Sequence, residues 1–561
     1  MTENHLIANL GRYQKTVDAA LTDLKTNRII ERIWEQDHTV WKPEPTEISN
    51  RLGWLRIAGA MQAELDRLRE LAQSLRNEGT THALLLGMGG SSLAPEVFAK
   101  TFGPAADGLD LAVLDSTDPG AVLAFDQGLD PAKTVYIVST KSGGTVETLS
   151  FFKYFYNRAI SALGQARASK RFIAITDPGS RLADIAARYD FRQTFLNDPN
   201  IGGRYSALSF FGLVPAALVG LDVGQLLKRA VSAAQAGQKS NCEAAQLGVI
   251  MGELAKAGRD KLTLITSPQI TSFGDWVEQL IAESTGKEGT GILPIVGEPL
   301  GRPQVYGDDR LFVYITLAGD SGQAQAIAGL EAAGQPVVRL SLADLYDLGE
   351  QFFVWELATA VAGQRLNIQP FDQPNVESAK VLARQMVDAY HESGQLPKLT
   401  PILEAGGISV YGDVAAPTPA GALEAFVKQA KAGAYIAIQA YLQPAPETDA
   451  DLFKMRALLR DHTHLPVTVG YGPRFLHSTG QLHKGDAGRG LFIQLTADAV
   501  QDAGIPDEAG KPQSAMSFQI LKLAQAMGDR QALLDDGRQV LRLHLSTPSR
   551  LTELVNTATN L

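Results

Sequence analysis

Hydroxyl groups and glycines follow a short apolar run in the stretch VYIVSTKSGGTVETLSFF, at residues 135–152. The β-branched residues at its start predict a strand, and the residues after the turn have the pattern of a helix. The turn between them consists of Thr140, Lys141, Ser142, Gly143, Gly144 and Thr145. Hydroxyls and uncovered backbone amides at the start of a helix can bind an anion, and phosphate is the anion that we expect here.

A second loop of this kind follows the run ALLL and reads Gly87, Met88, Gly89, Gly90, Ser91 and Ser92. Its glycines permit a tight turn and leave amides uncovered, so this loop also suits an anion. It partly matches a dinucleotide-binding fingerprint, because Asp115 closes the next strand as a ribose-binding acid would. Serines, however, occupy the place of the third glycine. Alternatively, the serines and threonines of both loops only cap helices.

Both loops follow strands that the sequence assigns to one parallel sheet. The runs ALLLGMG, LAVLDS, TVYIVST and RFIAITD alternate with helical stretches, and such continuous apolar strands are buried on both faces. The carboxyl ends of neighbouring parallel strands meet at one crevice. A dinucleotide needs one such loop, whereas a compact phosphate monoester can use both. The sequence therefore favours a phosphate monoester.

The whole chain is predicted to be of the α/β class. Its 561 residues exceed the ~250–300 that one hydrophobic core usually serves, so several domains are expected. We expect an N-terminal helical segment at residues 1–75, a first α/β domain at 76–230, a second at 231–392 and a C-terminal α/β region at 393–561. Strands of the second domain are predicted at KLTLITSP, LFVYITL and PVVRLSL, and those of the C-terminal region at AYIAIQAYL, LPVTVGYG and GLFIQLT.

Composition argues against several classes of partner. The net charge is −10 without a Lys/Arg-rich run, which disfavours nucleic acid. Cys242 is the only cysteine, so neither an intramolecular disulfide nor a cysteine-based metal site can form. The start lacks the pattern of a secretory signal. The longest apolar run, FFGLVPAALVGL, contains Pro215 and is too short to span a bilayer. We expect it to be a buried helix in a cytoplasmic protein.

The loop sequences GMGGSSLAPE and STKSGGTVETL resemble the paired signatures of the sugar isomerase (SIS) domain family, and more specifically of glucose-6-phosphate isomerases. The similarity continues through GGRYSALSFFGL, AESTGKEGTGILP, FDQPNVESAK and YGPRFLHSTGQLHKG, over nearly the whole chain. It is closest to the isomerase half of fused transaldolase–glucose-6-phosphate isomerases, without the transaldolase half. The resemblance implies two sugar-isomerase-type parallel-sheet domains with helices on both faces.

The resemblance also implies an activity of glycolysis and gluconeogenesis, the reversible isomerisation of D-glucose 6-phosphate and D-fructose 6-phosphate, with no cofactor or metal. Glu283 in AESTGK matches the base that moves a proton between C1 and C2. Arg204 in GGRYS matches the arginine that faces the enediolate oxygens, with Gly203 beside it against the substrate. Lys380 in FDQPNVESAK matches a lysine that assists ring opening. Without the resemblance, Glu283 and Lys380 would be ordinary exposed side chains. The two glycines before Arg204 would let it approach a ligand closely, and the alternative is that it pairs with a helix end or a carboxylate.

Ring opening in this family uses a histidine between the glutamate and the lysine, but this chain has no histidine between His82 and His391. The later segment LHSTGQLHKG, at residues 476–485, resembles the motif around that acid. We therefore assign ring opening to His477, with His483 as second choice. The segment must reach the site by a different chain path, from the C-terminal region or a neighbouring subunit. Alternatively, both histidines only hydrogen-bond loops.

Three other functions remain open at this stage. An isomerase that also accepts mannose 6-phosphate would carry the same motifs. A sugar-phosphate-binding protein without turnover would need the two loops but neither Glu283 nor Arg204. A nicotinamide-dependent enzyme rests only on the first loop and Asp115. Hexose 6-phosphates are the expected partners, and the assembly is expected to be a homodimer or a monomer.

Overall fold

The computed structural model describes residues 6–557, whose strands form three main sheets with helices packed against them. Two of these sheets have five strands and one has six. The α/β class predicted from the alternating apolar runs is confirmed. Each of the three sheets contains a parallel set of strands, as expected where helices connect successive strands.

The N-terminal part is mostly helical, as predicted. Its elements are β1 (Leu6–Asn9), α1 (Gln14–Thr26), α2 (Ile29–Trp34), α3 (Trp54–Met61) and α4 (Leu65–Asn77). The strand β1 was not predicted, and it pairs antiparallel with a strand of the second sheet, Leu6 opposite Leu340. Four residues are too few to show an alternating pattern, so only pairing with this distant strand defines β1.

The first sheet carries both loops at its carboxyl edge. Its elements are β2 (His82–Gly87), α5 (Leu93–Phe102), β3 (Asp110–Leu114), α6 (Pro119–Gly128), β4 (Thr134–Ser139), α7 (Val146–Leu163), α8 (Gln165–Ser169), β5 (Phe172–Thr176), α9 (Arg181–Arg188), β6 (Gln193–Leu196) and α10 (Phe210–Val219). The strand order is β3-β2-β4-β5-β6, and all pairs are parallel. The order reverses between β2 and β4, where a ligand crevice is expected. Gly87 lies opposite Ser139 at that point, so both loops start side by side.

The helix α10 confirms the expectation for the run FFGLVPAALVGL, since all its residues are buried and Pro215 lies inside it. Between residues 6 and 557, the structure contains no helix with the length and apolar character needed to cross a membrane.

The second sheet repeats this arrangement. Its elements are α11 (Val223–Ala236), α12 (Glu243–Lys256), β7 (Lys261–Thr266), α13 (Phe273–Thr285), β8 (Leu293–Val296), β9 (Arg310–Leu317), α14 (Ala324–Ala332), β10 (Val337–Leu342) and α15 (Leu348–Arg365). The strand order is β1-β10-β9-β7-β8, so the first strand of the unit, β7, again has later strands on both sides. The predicted boundary at residues 230 and 231 falls inside α11.

The C-terminal region forms the six-stranded sheet. Its elements are α16 (Val376–Ser393), β11 (Leu403–Ala405), β12 (Ile408–Tyr411), α17 (Pro419–Val427), β13 (Tyr435–Tyr441), α18 (Pro446–Thr463), β14 (Val467–Tyr471), α19 (Gly480–Gly485), β15 (Gly490–Ala497), β16 (Gly504–Ile505), β17 (Met516–Ser517), α20 (Phe518–Asp535), β18 (Gln539–Leu545) and α21 (Arg550–Thr557). The sheet order is β11-β12-β18-β15-β13-β14. The sequence analysis missed β18, because Arg542 and His544 interrupt its apolar run.

Helix α20 joins the C-terminal region to the rest of the molecule. Its Lys522 donates to Asp118 Oδ2 over 2.9 Å, in the loop that follows β3. Gly528 lies against α16, where an added Cβ would be 2.6 Å from the nitrogen of Ala383. The Lys522–Asp118 contact fixes α20 against the carboxyl edge of the first sheet, and Gly528 lets α20 pack closely on α16.

Candidate active site

A cavity of about 500 Å³ lies where the first-sheet loops meet the end of α13 and the 3₁₀ turn Arg474–His477. The predicted site residues that line it are Gly89, Gly90, Ser91, Thr140, Lys141, Ser142, Thr145, Gly203, Arg204, Glu283, Lys380 and His477. Residues of both loops therefore line a single cavity. Gln279 and Gln373 also line the cavity, and the sequence analysis did not name them.

The first loop brings three segments together at its glycines. Gly89 has a φ of +55°, and an added Cβ would be 2.9 Å from both Gln279 Nε2 and the carbonyl oxygen of His477. An added Cβ at Gly90 would be 2.1 Å from the carbonyl oxygen of Gly203. The loop therefore needs glycine at both positions, because a side chain would separate it from α13, the histidine and the arginine.

Replacement of Gly90 by alanine is expected to raise the KM for a sugar phosphate about tenfold and to lower Tm by several degrees, because backbone must move to admit the methyl group. Gly59→Ala, in α3, is the matched control, since its Cβ would meet no atom within 4 Å. Steady-state kinetics and thermal unfolding of both variants test this. Equal behaviour of the two variants would contradict the close packing at Gly90.

The second loop presents hydroxyls, but the charge of its lysine is already balanced. Thr140 Oγ1 and Thr145 Oγ1 are 3.0 Å apart. Lys141 Nζ contacts the carboxylate of Asp177 and donates to the carbonyl oxygen of Pro199 over 3.1 Å. An anion at this loop would therefore be held mainly by hydroxyls and backbone amides.

Two predicted residues of the second loop lie outside the described lining of the cavity. Gly143 is buried with a φ of +70°, and an added Cβ would be 2.2 Å from the nitrogen of Leu182 at the start of α9. Gly144 is exposed, and its amide donates to Ser142 Oγ over 3.2 Å. In this arrangement Gly143 shapes the loop through its backbone.

Glu283 lies in the last turn of α13, with its carboxylate in the cavity wall. Oε2 accepts a hydrogen bond from Gln279 Nε2 over 3.1 Å, one helical turn earlier. Oε1 is 3.4 Å from Arg204 Nη1, and the side chain is 13% exposed. Because it is partly removed from water yet open to the cavity, this carboxylate can accept a proton from a bound substrate.

Arg204 is 2% exposed, and it both lines the cavity and holds a loop in place. Nε donates to Ser284 Oγ over 2.8 Å, and Nη1 donates to Gln373 Oε1 over 3.0 Å. Nη2 donates to the carbonyl oxygens of Pro370 and Asp372, over 2.7 and 2.9 Å. Arg204 therefore both pairs with structural partners and lines the cavity. Its fixed charge lies beside Glu283 in the cavity wall, with Nη1 3.4 Å from Oε1.

Two lysines near the site differ in their environment. Lys380 lies on the second turn of α16 at the cavity rim, 45% exposed, and donates to Glu377 Oε1 over 2.8 Å. Lys287 is buried behind Arg204 and donates to Asp372 Oδ1 over 2.7 Å. Burial, aided by the Arg204 charge, lowers the pKa of Lys287 to about 8. Lys287 supports the loop that Arg204 binds, whereas Lys380 can move toward a ligand.

His477 is paired with a carboxylate from the first sheet. Its Nε2 is 3.0 Å from Oε1 of Glu147, which lies in the first turn of α7. Burial favours the neutral form of Glu147, but the charge and hydrogen bond of His477 outweigh it, so the pKa of Glu147 is lowered. The pair leaves Nδ1 as the ring nitrogen that can act on a ligand.

His483 lies elsewhere, so it does not fit the role of second candidate for ring opening. It is 2% exposed and is surrounded by the rings of Tyr435, Phe475 and Phe492. Burial lowers the pKa of His483 well below its usual value, so the ring is neutral.

Arg474 anchors the turn that carries His477. It contacts the carboxylates of Glu96 in α5, Asp115 after β3 (3.0 Å) and Asp275 in α13 (3.9 Å). Asp115 also accepts from Ser92 Oγ over 3.2 Å. The acid that the dinucleotide interpretation assigned to a ribose is therefore used to hold the histidine turn.

The sequence analysis missed Glu147, Gln279 and Gln373. Glu147 lies inside the motif STKSGGTVETL, and Gln279 precedes Glu283 by one helical turn on the same helix face. The sequence therefore contained a local signal for both Glu147 and Gln279. In the part of the chain that the structure describes, no group of three or more His, Cys, Asp or Glu side chains is arranged to hold a metal ion.

Comparison with solved structures supports the fold. A hypothetical protein from Thermus thermophilus superposes with a TM-score of 0.59 at 24% identity, covering 68% of this chain and 99% of that protein. A glucose-6-phosphate isomerase from Chlamydia trachomatis superposes with a TM-score of 0.56 at 18% identity, covering 67% and 86%. At these identities the likeness concerns the fold alone.

Comparison of sequences adds matches to segments that contain candidate site residues. Glucose-6-phosphate isomerase of Rubrobacter xylanophilus is 28% identical over 414 residues, which cover 65% of this chain and 94% of that protein. The family model described as phosphoglucose isomerase matches residues 57–290. That range contains both loops, Arg204 and Glu283, and it ends before Lys380 and His477. Residues 57–290 are thus similar to the phosphoglucose isomerase family, and the chain resembles glucose-6-phosphate isomerases over about two thirds of its length.

Proposed function

We propose that this protein interconverts D-glucose 6-phosphate and D-fructose 6-phosphate. The observation that carries the proposal is the placement of Glu283, Arg204 and His477 around one cavity whose other wall is formed by the two anion-binding loops. The cavity volume of about 500 Å³ lies in the range typical of small-molecule sites.

Each group has a distinct role in the proposed reaction. The loops around Gly90 and Thr140 hold the phosphate, which places C1 and C2 of the sugar toward α13. Protonated His477 gives a proton to the ring oxygen, the bond between C1 and the ring oxygen breaks, and the C1 hydroxyl passes its proton to solvent water, so that the ring opens to the aldehyde. Lys380, at the rim, assists this step.

Proton transfer between the two carbons follows ring opening. The carboxylate of Glu283 takes the proton from C2, so that C1 and C2 become an enediolate. The same carboxyl then returns the proton to C1 while the proton of the C2 hydroxyl passes to O1, which leaves the ketone at C2. Arg204 balances the negative charge on the enediolate oxygens. Because its guanidinium is already held by four hydrogen bonds, it does not need to reorganise.

A coupled dehydrogenase assay of fructose 6-phosphate conversion tests the function directly. Turnover in the presence of a chelator supports a metal-independent isomerase. Binding of fructose 6-phosphate without turnover would instead support a sugar-phosphate-binding protein. The same assay started from mannose 6-phosphate determines whether that sugar is also a substrate.

Thr140→Val is expected to raise the KM for fructose 6-phosphate about tenfold with little change in kcat, because one hydrogen bond to the phosphate is lost. The exposed Thr22 of α1 provides the control variant Thr22→Val. An unchanged KM for Thr140→Val would show that the second loop does not bind the phosphate.

We also propose that one chain contains a complete site, because His477 reaches the cavity from the same chain as Glu283. Monomer and homodimer are both compatible with this arrangement. We propose a cytoplasmic location, which suits a chain with Cys242 as its only cysteine.

A further inference from the structure

Gln525 on α20 lies behind the pair formed by His477 and Glu147. Its Nε2 donates to Glu147 Oε1 over 2.7 Å, and its Oε1 accepts from Thr117 Oγ1 over 2.8 Å. Gln525 is 3% exposed and Thr117 is fully buried. The same carboxylate oxygen that contacts His477 Nε2 thus also accepts a hydrogen bond from the C-terminal region.

The direction of these hydrogen bonds follows from the donors and acceptors available. An ionised carboxylate only accepts hydrogen bonds, so Glu147 requires the amide NH₂ group of Gln525. The amide oxygen then faces Thr117, whose hydroxyl donates to it. The amide therefore favours the ionised form of Glu147.

The position of Gln525 is fixed by its own helix. Lys522, one turn earlier on α20, donates to Asp118 Oδ2 over 2.9 Å, and both side chains are buried. Thr117 and Asp118 belong to the same loop after β3. The Lys522–Asp118 contact thereby anchors Gln525 beside the first sheet, and Gln525 is outside the described lining of the cavity.

We propose that Gln525 is a positioning residue for ring opening: it keeps Glu147 ionised and directed at His477 Nε2, so that Nδ1 is presented to the sugar. The inference rests on the proposed function, since it takes His477 as the group that opens the ring. Gln525 acts through Glu147 and touches no substrate.

The first test compares Gln525→Met with wild type. Methionine keeps the length of the side chain but cannot donate, so kcat is expected to fall about tenfold while KM stays within about twofold. Loss of the donor raises the pKa of Glu147, and the acid limb of the kcat profile therefore moves to higher pH. Gln531→Met is the matched control, because Gln531 lies on the same helix and its amide bonds only to Asp535 near the surface.

A second readout isolates ring opening from isomerisation. In a Glu283→Gln background, the exchange between the α and β anomers of glucose 6-phosphate is measured by NMR. Adding Gln525→Met is expected to slow this exchange about tenfold, whereas adding Gln531→Met leaves it unchanged.

Gln525→Glu keeps the inference testable if the methionine variant folds poorly. Glutamate is isosteric and can donate to Glu147 only when it is protonated. Its activity should therefore be highest at low pH and fall as pH rises, a dependence opposite to that of Gln525→Met. A purely structural residue would give neither dependence.

The outcomes separate the two proposals. A wild type that does not isomerise fructose 6-phosphate overturns the proposed function itself. An active wild type whose folded Gln525 variants keep wild-type kcat, pH profile and anomer exchange overturns the role of Gln525 alone.

Discussion

Replacement of Glu283 by glutamine is expected to reduce kcat for fructose 6-phosphate about 10⁴-fold, at the upper end of the range for a general base. Glutamine preserves the shape of the side chain but cannot accept the proton from C1 or C2. The amide oxygen of the glutamine can still accept from Gln279 or face Arg204, so one of the two contacts is kept. Binding should therefore survive, with KM within about threefold of the wild type.

The control is Glu288→Gln, five residues further along the chain, where the carboxylate is 51% exposed and pairs with Lys42. This variant should have wild-type kcat. Coupled kinetics measure the loss, and the shift of Tm by fructose 6-phosphate measures retained binding. A Glu283→Gln enzyme with wild-type turnover would leave the fold assignment intact but would show that another group moves the proton.

His477→Asn is expected to lower kcat about 10²-fold, because the ring must then open without a proton donor and because Glu147 loses its partner. His391→Asn, at an exposed position of α16, serves as the control. The anomer exchange of glucose 6-phosphate should fall with kcat. Full activity of His477→Asn would show that the histidine only hydrogen-bonds its neighbours and does not open the ring.

Mixing the two inactive variants tests whether one chain holds the complete site. If His477 and Glu283 of the same chain act together, a refolded mixture of Glu283→Gln and His477→Asn stays inactive. If subunits shared the site, about a quarter of the wild-type activity would return through mixed dimers. The structure places both residues at one cavity within the chain, so no recovery is expected.

Much of the first two sheets could be predicted because their signals are local. The buried parallel strands read as continuous apolar runs, and the loops after β2 and β4 have residue types that suit anion binding. Short or interrupted strands were missed. The strand β1 exists only because it pairs with β10, and β18 carries Arg542 and His544 within its run.

The α/β class, the two loops and, through the resemblance, the candidate site residues can be predicted from the sequence, because they depend on residue type and short spacing. Which histidine reaches the cavity, and what supports it, depends on the packing of distant segments. His477 meets Glu147 across 330 residues, and Gln525 meets it across 378. Such contacts arise from the packing of α20 and the Arg474 turn against the first sheet. No local pattern encodes that packing, because it depends on surfaces that come together only when the whole chain has folded.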